Sequence, residues 1–343
     1  MRVILISPVM MLSMYAAILG VMWFGGGFVA RGELLPGELY AFFSYIVQVL
    51  MSVLMVGMCL LMLTRAVACA RRVSEVLEAE PDISDSPDCV SRELPESRGR
   101  VEFKNVNFKY SASGTGDDVL HGIDLTVEPG QFVAIVGGTG TGKSTLVNLI
   151  PRFYDVTAGQ VLVDGVDVRD YPLAELRNRI GMVLQTNVLF SGTVKENLLW
   201  GRADATDEEL VQAAKDAQAY DFIQAMPQGF DTWLDQGGVN VSGGQKQRLC
   251  IARAMLRHPA ILILDDSTSA VDSATEAEIR RSFSENLKDT TVIIIAQRIS
   301  SVRYADKIVV LDDDHIAAEV RTTSSWPRAT FTARSTSPSR KER

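Results

Sequence analysis

The stretch of sequence that decides the fold is Gly137-Gly138-Thr139-Gly140-Thr141-Gly142-Lys143-Ser144, which matches the pattern G-x-x-x-x-G-K-[ST]. An apolar run, 132–136, precedes it and predicts a buried strand, and the residues from Thr145 to Ile150 predict a helix. Glycines let the backbone curl so that several N–H groups point at one anion, and the helix start adds the positive end of its dipole. This order predicts a phosphate-binding loop, in which Lys143 reaches the β- and γ-phosphates of a nucleotide and the Ser144 hydroxyl binds Mg²⁺. The alternative is a glycine-rich turn before an ordinary helix.

The apolar residues are concentrated in the first part of the chain. The chain has 343 residues, room for about two domains, and a formal net charge of −8, which disfavours nucleic acid as a partner. Residues 3–30 and 39–64 contain no charged side chain. Each stretch exceeds the ~20 residues that a membrane-spanning helix needs. The sequence therefore predicts a transmembrane helical hairpin with the polar segment 31–38 at its tip.

The charges that flank the two apolar stretches predict the orientation of the hairpin. Arg2 precedes the first stretch, and Arg65, Arg71 and Arg72 follow the second. Because cytoplasmic flanks carry an excess of Lys and Arg, both ends are expected in the cytoplasm, with the hairpin tip outside the cell membrane. The alternative is a secretory signal peptide, which the length of the first stretch and the presence of a second one disfavour.

The composition divides the chain into four parts. Residues 1–80 form the hairpin and its cytoplasmic helical extension, and 81–99, rich in Pro, Ser and Asp, predict a linker. Residues 100–320 predict an α/β domain, and 321–343 predict a disordered tail because apolar periodicity is almost lost there. Strands of the domain are predicted at 101–108, 123–127, 132–136, 160–163, 181–184, 261–264, 292–295 and 307–311.

A second element of the same chemistry lies downstream of the loop. Residues 261–264 are all apolar and are followed by Asp265, so a buried strand is predicted to end in a carboxylate. In a protein with a phosphate-binding loop, such an Asp holds Mg²⁺ together with the loop Ser. We therefore expect Asp265 and Ser144 to share one cation. Taken alone, an Asp at the end of a buried strand indicates little.

A third motif is Ser242-Gly243-Gly244-Gln245, which leads into the basic amphipathic segment 246–257. Ser is a good N-cap, and the two glycines leave backbone N–H groups accessible, so this is a second possible anion-binding helix start. The alternative is an ordinary capped helix after a glycine turn.

With these motifs, residues 101 to about 320 resemble the nucleotide-binding domain of ABC transporters, whose signature is Ser-Gly-Gly-Gln. The preceding hairpin resembles the last two membrane helices of an ABC exporter. The resemblance implies an α/β fold of the P-loop NTPase class, an ABC-type ATPase domain preceded by a two-helix transmembrane hairpin. It also implies ATP and Mg²⁺ as ligands, with residues 137–145 at the ATP phosphates.

The resemblance assigns roles to other residues of this sequence. Tyr110 falls at the aromatic position that stacks on adenine, and its alternative is a core aromatic at a strand end. Gln185 falls at the glutamine that contacts Mg²⁺ and relays to the membrane domain, and its alternative is a polar strand terminus. ABC domains pair head to tail, so Ser242–Gln245 would close over ATP held by the loop of a partner domain.

Two residues depart from the family pattern. Asp266 stands where the catalytic base is normally Glu, and Gln297 replaces the His that contacts the γ-phosphate. Asp is one methylene shorter, and a misplacement on the order of 1 Å can lower a rate by ~10²-fold. Both changes resemble the degenerate half of bacterial heterodimeric ABC exporters, which donates its signature to a partner half bearing Glu and His. The alternative is neutral drift in a functional site.

The extent of the chain departs from the family pattern as well. An exporter half normally has six spans, whereas two are predicted here, and the sequence after Asp313 loses the expected glycine turn, strand and Gly-Thr-His segment. We therefore expect a truncated, frame-shifted or split gene product.

These observations predict the ATP-binding and ATP-hydrolysing subunit of an exporter that works as a heterodimer in the cell membrane. The candidate catalytic residues are Asp266, Gln297 and Gln185. One alternative is a regulatory half that clamps ATP and scarcely hydrolyses it, and another is a soluble DNA-repair ATPase, which the apolar spans disfavour. The transported substrate stays open, because other spans contribute most of an exporter's cavity.

Overall fold

The computed structural model describes residues 6–85, 94–110, 118–265, 273–296, 302, 305–321 and 332–335. The chain divides into two compact units, Met1–Asp82 and Ile83–Arg343. The boundary between the units falls at the start of the predicted linker.

The first unit is a helical hairpin. Helix α1 spans Ile6–Ala30 and helix α2 spans Pro36–Leu77, and within the described residues these are the helices long and apolar enough to cross a membrane. Pro36 is the first residue of α2. The Glu38 carboxylate in the first turn accepts a hydrogen bond from the Leu35 backbone N–H at 3.0 Å. The predicted hairpin is confirmed in its two helices.

Helix α2 is longer than a membrane requires. Its 42 residues give a length of roughly 63 Å at ~1.5 Å per residue, about twice the ~30 Å hydrocarbon core. The helix runs without interruption past Arg65 to Leu77. This continuation confirms the predicted helical extension of the second apolar stretch.

The second unit contains two main sheets in the part of the chain that the structure describes. The smaller sheet is antiparallel, in the order β2–β1–β4–β5, and its strands are β1 Val101–Phe108, β2 Leu120–Val127, β4 Ala158–Val163 and β5 Val166–Asp167. The larger sheet has the order β13–β12–β11–β3–β10–β9–β6, and its strands are β3 Phe132–Gly137, β6 Ile180–Val183, β9 Ile261–Asp265, β10 Thr291–Ile295, β11 Lys307–Asp312, β12 His315–Arg321 and β13 Thr332–Ser335. A short antiparallel pair joins β7 Gly192–Thr193 to β8 Trp233–Leu234.

The central strands of the larger sheet position the candidate site. Strands β11, β3, β10, β9 and β6 are parallel, so their carboxyl ends share one edge of the sheet. Strands β9 and β10 are buried along their whole length, as their continuous apolar runs predict. All five parallel strands lie within one residue of their predicted positions, whereas β12 was not predicted.

Seven helices flank the sheets within the described residues: α3 Lys143–Asn148, α4 Leu173–Asn178, α5 Val194–Leu199, α6 Asp207–Asp216, α7 Tyr220–Gln224, α8 Gly243–Met255 and α9 Ser273–Asn286. Helix α8 packs against α5, α6 and β6. A capping box closes the start of α6, since Thr206 Oγ1 accepts from the Glu209 N–H at 3.3 Å and the Glu209 carboxylate accepts from the Thr206 N–H at 2.8 Å.

The end of the predicted linker is fastened to the second unit. The Asp164 carboxylate accepts hydrogen bonds from the backbone N–H groups of Arg98 (3.2 Å) and Arg100 (2.9 Å). Arg179 pairs with Asp164 at 3.4 Å and donates to the Pro95 carbonyl at 2.9 Å. Composition predicted a linker here, but the side chains that dock the segment come from distant parts of the sequence. The described residues at the end of the predicted linker are therefore held against the α/β domain.

The predicted disordered tail also differs in part from the structure. Residues 332–335 form β13, in which Thr332 pairs with Arg321 and Ser335 pairs with Ala318 of β12. An edge strand such as β12 presents unpaired N–H and C=O groups, which a short segment can pair through its backbone without an apolar pattern. The other residues after Arg321 lie outside the described part of the chain.

Candidate nucleotide-binding site

The predicted phosphate-binding loop begins where β3 ends and finishes at the first turn of α3. Gly142 is the N-cap of α3 with φ = +84°. A Cβ at Gly142 would lie 2.9 Å from the Val119 carbonyl oxygen, and one at Gly137 would lie 2.3 Å from the Leu311 carbonyl oxygen. Both positions therefore require glycine, because the neighbouring groups are backbone atoms that cannot move aside. The strand–loop–helix order predicted from the sequence is confirmed.

The Lys143 side chain folds back over the loop. Its ammonium donates to the carbonyl oxygens of Gly137, at 3.1 Å, and Gly138, and it lies 3.5 Å from Thr141 Oγ1. The Thr141 hydroxyl also donates to the Gly138 carbonyl, at 3.0 Å. A positive charge is therefore held inside the loop, where it can neutralise phosphate oxygens.

Ser144 and Asp265 meet beside the loop. The Ser144 hydroxyl donates to Asp265 Oδ1 at 3.0 Å, and Asp265, the last residue of β9, is 5% exposed. Burial raises the pKa of Asp265, while the hydrogen bond from Ser144 and the charge of Lys143 oppose that rise. Mg²⁺ is bound by one or two such oxygen ligands together with phosphates, so this pair fits the predicted cation site.

The burial of Asp265 gives a first expected result. Because its pKa is raised in the folded protein, the ionised carboxylate destabilises the fold at any pH above that folded pKa. The destabilisation shrinks as pH falls below the folded pKa and is gone below the lower pKa of the unfolded chain. We expect Asp265→Asn to raise the melting temperature near neutral pH without nucleotide, and to reduce the further rise that Mg²⁺ and ATP produce. Thermal unfolding with and without Mg²⁺ and ATP measures both effects.

A second carboxylate provides the control for this result. Asp306 is exposed and accepts a hydrogen bond from the Phe132 N–H at 2.9 Å. Asp306→Asn should not raise the melting temperature and should leave the effect of Mg²⁺ and ATP intact. A lower or unchanged melting temperature for Asp265→Asn without nucleotide would contradict the assigned cost.

The Tyr110 side chain lies at the start of α3. Its hydroxyl is 2.8 Å from Thr145 Oγ1, and Thr145 is buried in the first turn of the helix. Tyr110 is 55% exposed, so its ring is accessible to a base, and the alternative of a core aromatic is not supported. Stacking on adenine stays a prediction.

Gln185 lies at the same sheet edge as Asp265. It follows β6, and β6 runs parallel to β9 with Val183 opposite Leu264. Gln185 itself is exposed. The structure therefore places Gln185 beyond the end of the strand next to the one that ends in Asp265, and its role as a ligand of Mg²⁺ stays a prediction.

A groove of about 210 Å³ is lined in part by Leu184 and Thr186, the sequence neighbours of Gln185, and by Phe190 and Trp200. Arg253 of α8 forms one wall, donating to the Val188 carbonyl at 3.0 Å and to Asn197 Oδ1 at 2.9 Å. Sequence reasoning missed these residues, because no fixed spacing links them. The sequence offered no signal for Trp200, because its exposure is a property of the folded chain.

The signature segment Ser242–Gln245 forms the start of α8. Ser242 Oγ accepts from the Gln245 N–H at 3.3 Å, and Gln245 Oε1 accepts from the Ser242 N–H at 2.9 Å. Ser242 and Gly243 are exposed. The predicted N-cap is confirmed. The signature segment and the phosphate-binding loop lie on different elements, the first at the start of α8 and the second between β3 and α3.

Residues 120–269 match the family model described as ABC transporter. This part of the chain is therefore an ABC transporter domain. The fold and family expected from the loop, the signature and Asp265 are thereby confirmed.

Similar proteins extend the match beyond the ATPase domain of this ABC transporter chain. It is 44% identical over 291 residues to a putative multidrug export ATP-binding/permease protein, YgaD, of Bacillus subtilis, a match that covers 85% of this chain and 50% of that protein. It is 45% identical over 315 residues to an uncharacterized ABC transporter ATP-binding protein of Mycobacterium tuberculosis, covering 91% of this chain and 53% of that protein. The chain spans about half the length of the curated relatives it matches.

A solved structure similar to this ABC transporter chain is that of a bacterial Atm1-family ABC exporter with ATP bound. The TM-score is 0.76 at 34% sequence identity, and the match covers 92% of this chain and 55% of the exporter chain. The similarity includes the hairpin as well as the ATPase domain, since it extends over nearly the whole chain.

Asp266 and Gln297, which depart from the ABC pattern, lie outside the described residues. Asp266 directly follows the last residue of β9, and Gln297 comes two residues after the end of β10. Their roles stay predictions.

Proposed function

We propose that this chain is the ATP-binding and ATP-hydrolysing subunit of an ABC exporter and couples ATP to the export of an unidentified substrate. The observation that carries the proposal is the contact of Ser144 with the buried carboxylate of Asp265, beside a loop that holds the Lys143 ammonium. A related protein bears the name of a multidrug export ATP-binding/permease protein, which supports export as the process.

Each group of the site has a defined task in this proposal. Lys143 and the backbone N–H groups of the loop would bind the ATP phosphates, and Tyr110 would stack on the adenine base. Ser144 and Asp265 would hold Mg²⁺, with Gln185 as a further ligand, and the cation would neutralise negative charge on the phosphates. The described residues would therefore bind the adenine base at one end of ATP and compensate the negative charge of the phosphates at the other.

The membrane hairpin and the groove beside Gln185 suggest how ATP would act on transport. Helices α1 and α2 would anchor the subunit in the cell membrane, with the ATPase domain in the cytoplasm. The exposed aromatic side chains of Phe190 and Trp200 would receive a cytoplasmic helix of the membrane domain. Gln185 would then connect that contact to the cation site.

The heterodimer is the second part of the proposal. Asp266 is too short to place the attacking water as Glu would, and Gln297 lacks a titratable imidazole. The signature segment is complete and lies at an exposed helix start. A chain of this kind would support hydrolysis in a partner half rather than in its own site. The same two residues favour a second candidate function, a regulatory half that clamps ATP.

ATP turnover by the purified chain, alone and in a mixed dimer, tests the function. A copy carrying Asp266→Glu and Gln297→His serves as the partner half, because it restores the Glu and His of the family pattern. We expect ATP to bind to the wild-type chain alone with slow turnover, and the mixed dimer to turn over faster. The absence of ATP binding by the wild-type chain would refute the ATPase proposal. A mixed dimer that binds ATP but is no faster than the wild-type chain would favour the clamping half.

A further inference from the structure

An aromatic cluster surrounds Tyr110 at the proposed adenine end of the site. The rings of Tyr110 and Tyr154 lie 5.1 Å apart at an interplanar angle of 89°, and those of Tyr110 and Phe108 lie 4.9 Å apart at 85°. The rings of Phe108 and Tyr154 are 5.6 Å apart. Perpendicular pairs at such distances are a favoured geometry of aromatic side chains, because the positive edge of one ring meets the negative face of the other.

Three separate segments hold the Tyr110 side chain. Phe108 ends β1 and is 2% exposed, and Thr145, whose Oγ1 lies 2.8 Å from the Tyr110 hydroxyl, is 6% exposed in α3. Tyr154 comes from the turn that follows α3 and is 40% exposed. Two of the three contacts are therefore fixed by the protein core, and the third comes from a residue near the surface.

We propose that Tyr154 is a positioning residue that holds the Tyr110 ring in the orientation in which it stacks on adenine. The inference rests on the proposed ATP-binding function and adds to it a residue that the family motifs do not include. Without this contact, the Tyr110 side chain would be more mobile in the free protein. Binding of the base would then cost more conformational entropy, and the affinity would be lower. Tyr154 thus increases affinity for the base without touching the phosphates.

Tyr154 is better suited to a test than the other two contacts of Tyr110. Phe108 belongs to the hydrophobic core of the β1 sheet, and Thr145 adjoins the cation ligand Ser144. Substitution of either residue would change the fold or the phosphate site directly. A substitution at the partly exposed Tyr154 leaves both in place, so its effect on nucleotide binding can be attributed to the ring of Tyr110.

The test compares ATP with inorganic tripolyphosphate, which has the phosphates but no base. Both are titrated calorimetrically with Mg²⁺ into the full chain and its variants. Tyr154→Leu should weaken ATP binding about three- to tenfold, the scale of one aromatic pair, and change tripolyphosphate binding less than about twofold. Tyr154→Phe keeps the ring and should bind ATP within about twofold of the wild type.

Tyr110→Ala supplies the reference for the same comparison. It should reduce the preference for ATP over tripolyphosphate more than Tyr154→Leu does, and adding Tyr154→Leu to it should cause no further loss, because the two residues act through one contact. Equal weakening of both ligands by Tyr154→Leu would show a structural role and overturn the inference, as would unchanged ATP binding. A wild-type chain that binds ATP no better than tripolyphosphate would instead overturn the adenine site itself, and the inference with it.

Discussion

Lys143→Ala should weaken the binding of ATP by about 10- to 100-fold. In the structure, the Lys143 ammonium is held against the Gly137 carbonyl at 3.1 Å within the glycine loop. A hydrogen bond between a charged donor and a phosphate contributes about 1.5–3 kcal/mol, and about 1.4 kcal/mol corresponds to a tenfold change in affinity. Calorimetric titration of the purified chain with ATP and Mg²⁺ measures the loss.

Two further variants separate this contact from general effects of charge and folding. Lys104→Ala removes the same charge from an exposed position on β1 and should leave ATP binding within about twofold of the wild type. Lys143→Met keeps most of the aliphatic stem and should bind ATP as weakly as Lys143→Ala. If ATP affinity is unchanged in both Lys143 variants, the loop does not bind the nucleotide phosphates through this residue.

Local patterns were sufficient to predict the centre of the ATPase domain. The parallel strands are short apolar runs, and two of them end in a residue of the site: β9 ends in Asp265, and β3 ends in Gly137, the first residue of the loop. The carboxyl ends of parallel strands lie at one edge of the sheet. A glycine loop after one strand and Asp265 at the end of another were therefore expected to lie close together. The 3.0 Å contact between Ser144 and Asp265 is the physical result of that topology.

Contacts between distant segments could not be predicted in the same way. The docking of Arg98 and Arg100 depends on Asp164, which sits in the turn between β4 and β5, and on Arg179 after α4. Nothing in the Pro- and Ser-rich composition of the linker indicates these partners. The packing of Tyr154 against Tyr110 could not be predicted either, because the two residues follow α3 and β1 and come into contact only once these elements have packed together.

Strand β13 shows a different limit of sequence patterns. Its residues, Thr332 to Ser335, lack the apolar alternation that marks a half-buried strand. They pair with β12 through backbone groups, which are the same in every residue but proline. The position of such a strand therefore depends on the unpaired edge of its neighbour rather than on its own side chains.

The proposed division of labour between two ATPase domains predicts the second large effect. The Ser242 hydroxyl caps the start of α8, where Ser242 and Gly243 are exposed. In a head-to-tail pair, this helix start would stabilise the charge that develops on the γ-phosphate held by the partner's loop. The loss of one such preorganised donor lowers a catalytic rate by about 10²–10³-fold.

A mixed dimer allows this role to be measured in each copy separately. One copy is the wild-type chain, and the other carries Asp266→Glu and Gln297→His and a second affinity tag, so that tandem purification isolates mixed dimers. Ser242→Ala in the wild-type copy should lower ATP turnover on the order of 100-fold, because that signature faces the restored site. The same substitution in the restored copy should change turnover little, because it faces the slow site.

Two further variants distinguish catalysis from helix capping and assign the slow site. Thr206→Ala removes the matching capping box of α6 and should lower the stability of that helix by about 1 kcal/mol without reducing turnover. Asp266→Ala in the wild-type copy should change turnover less than about twofold, because we propose that the shorter carboxylate of Asp266 does not orient the attacking water. If Asp266→Ala abolishes turnover while Ser242→Ala in the same copy does not, the roles are reversed and this chain carries the working catalytic site.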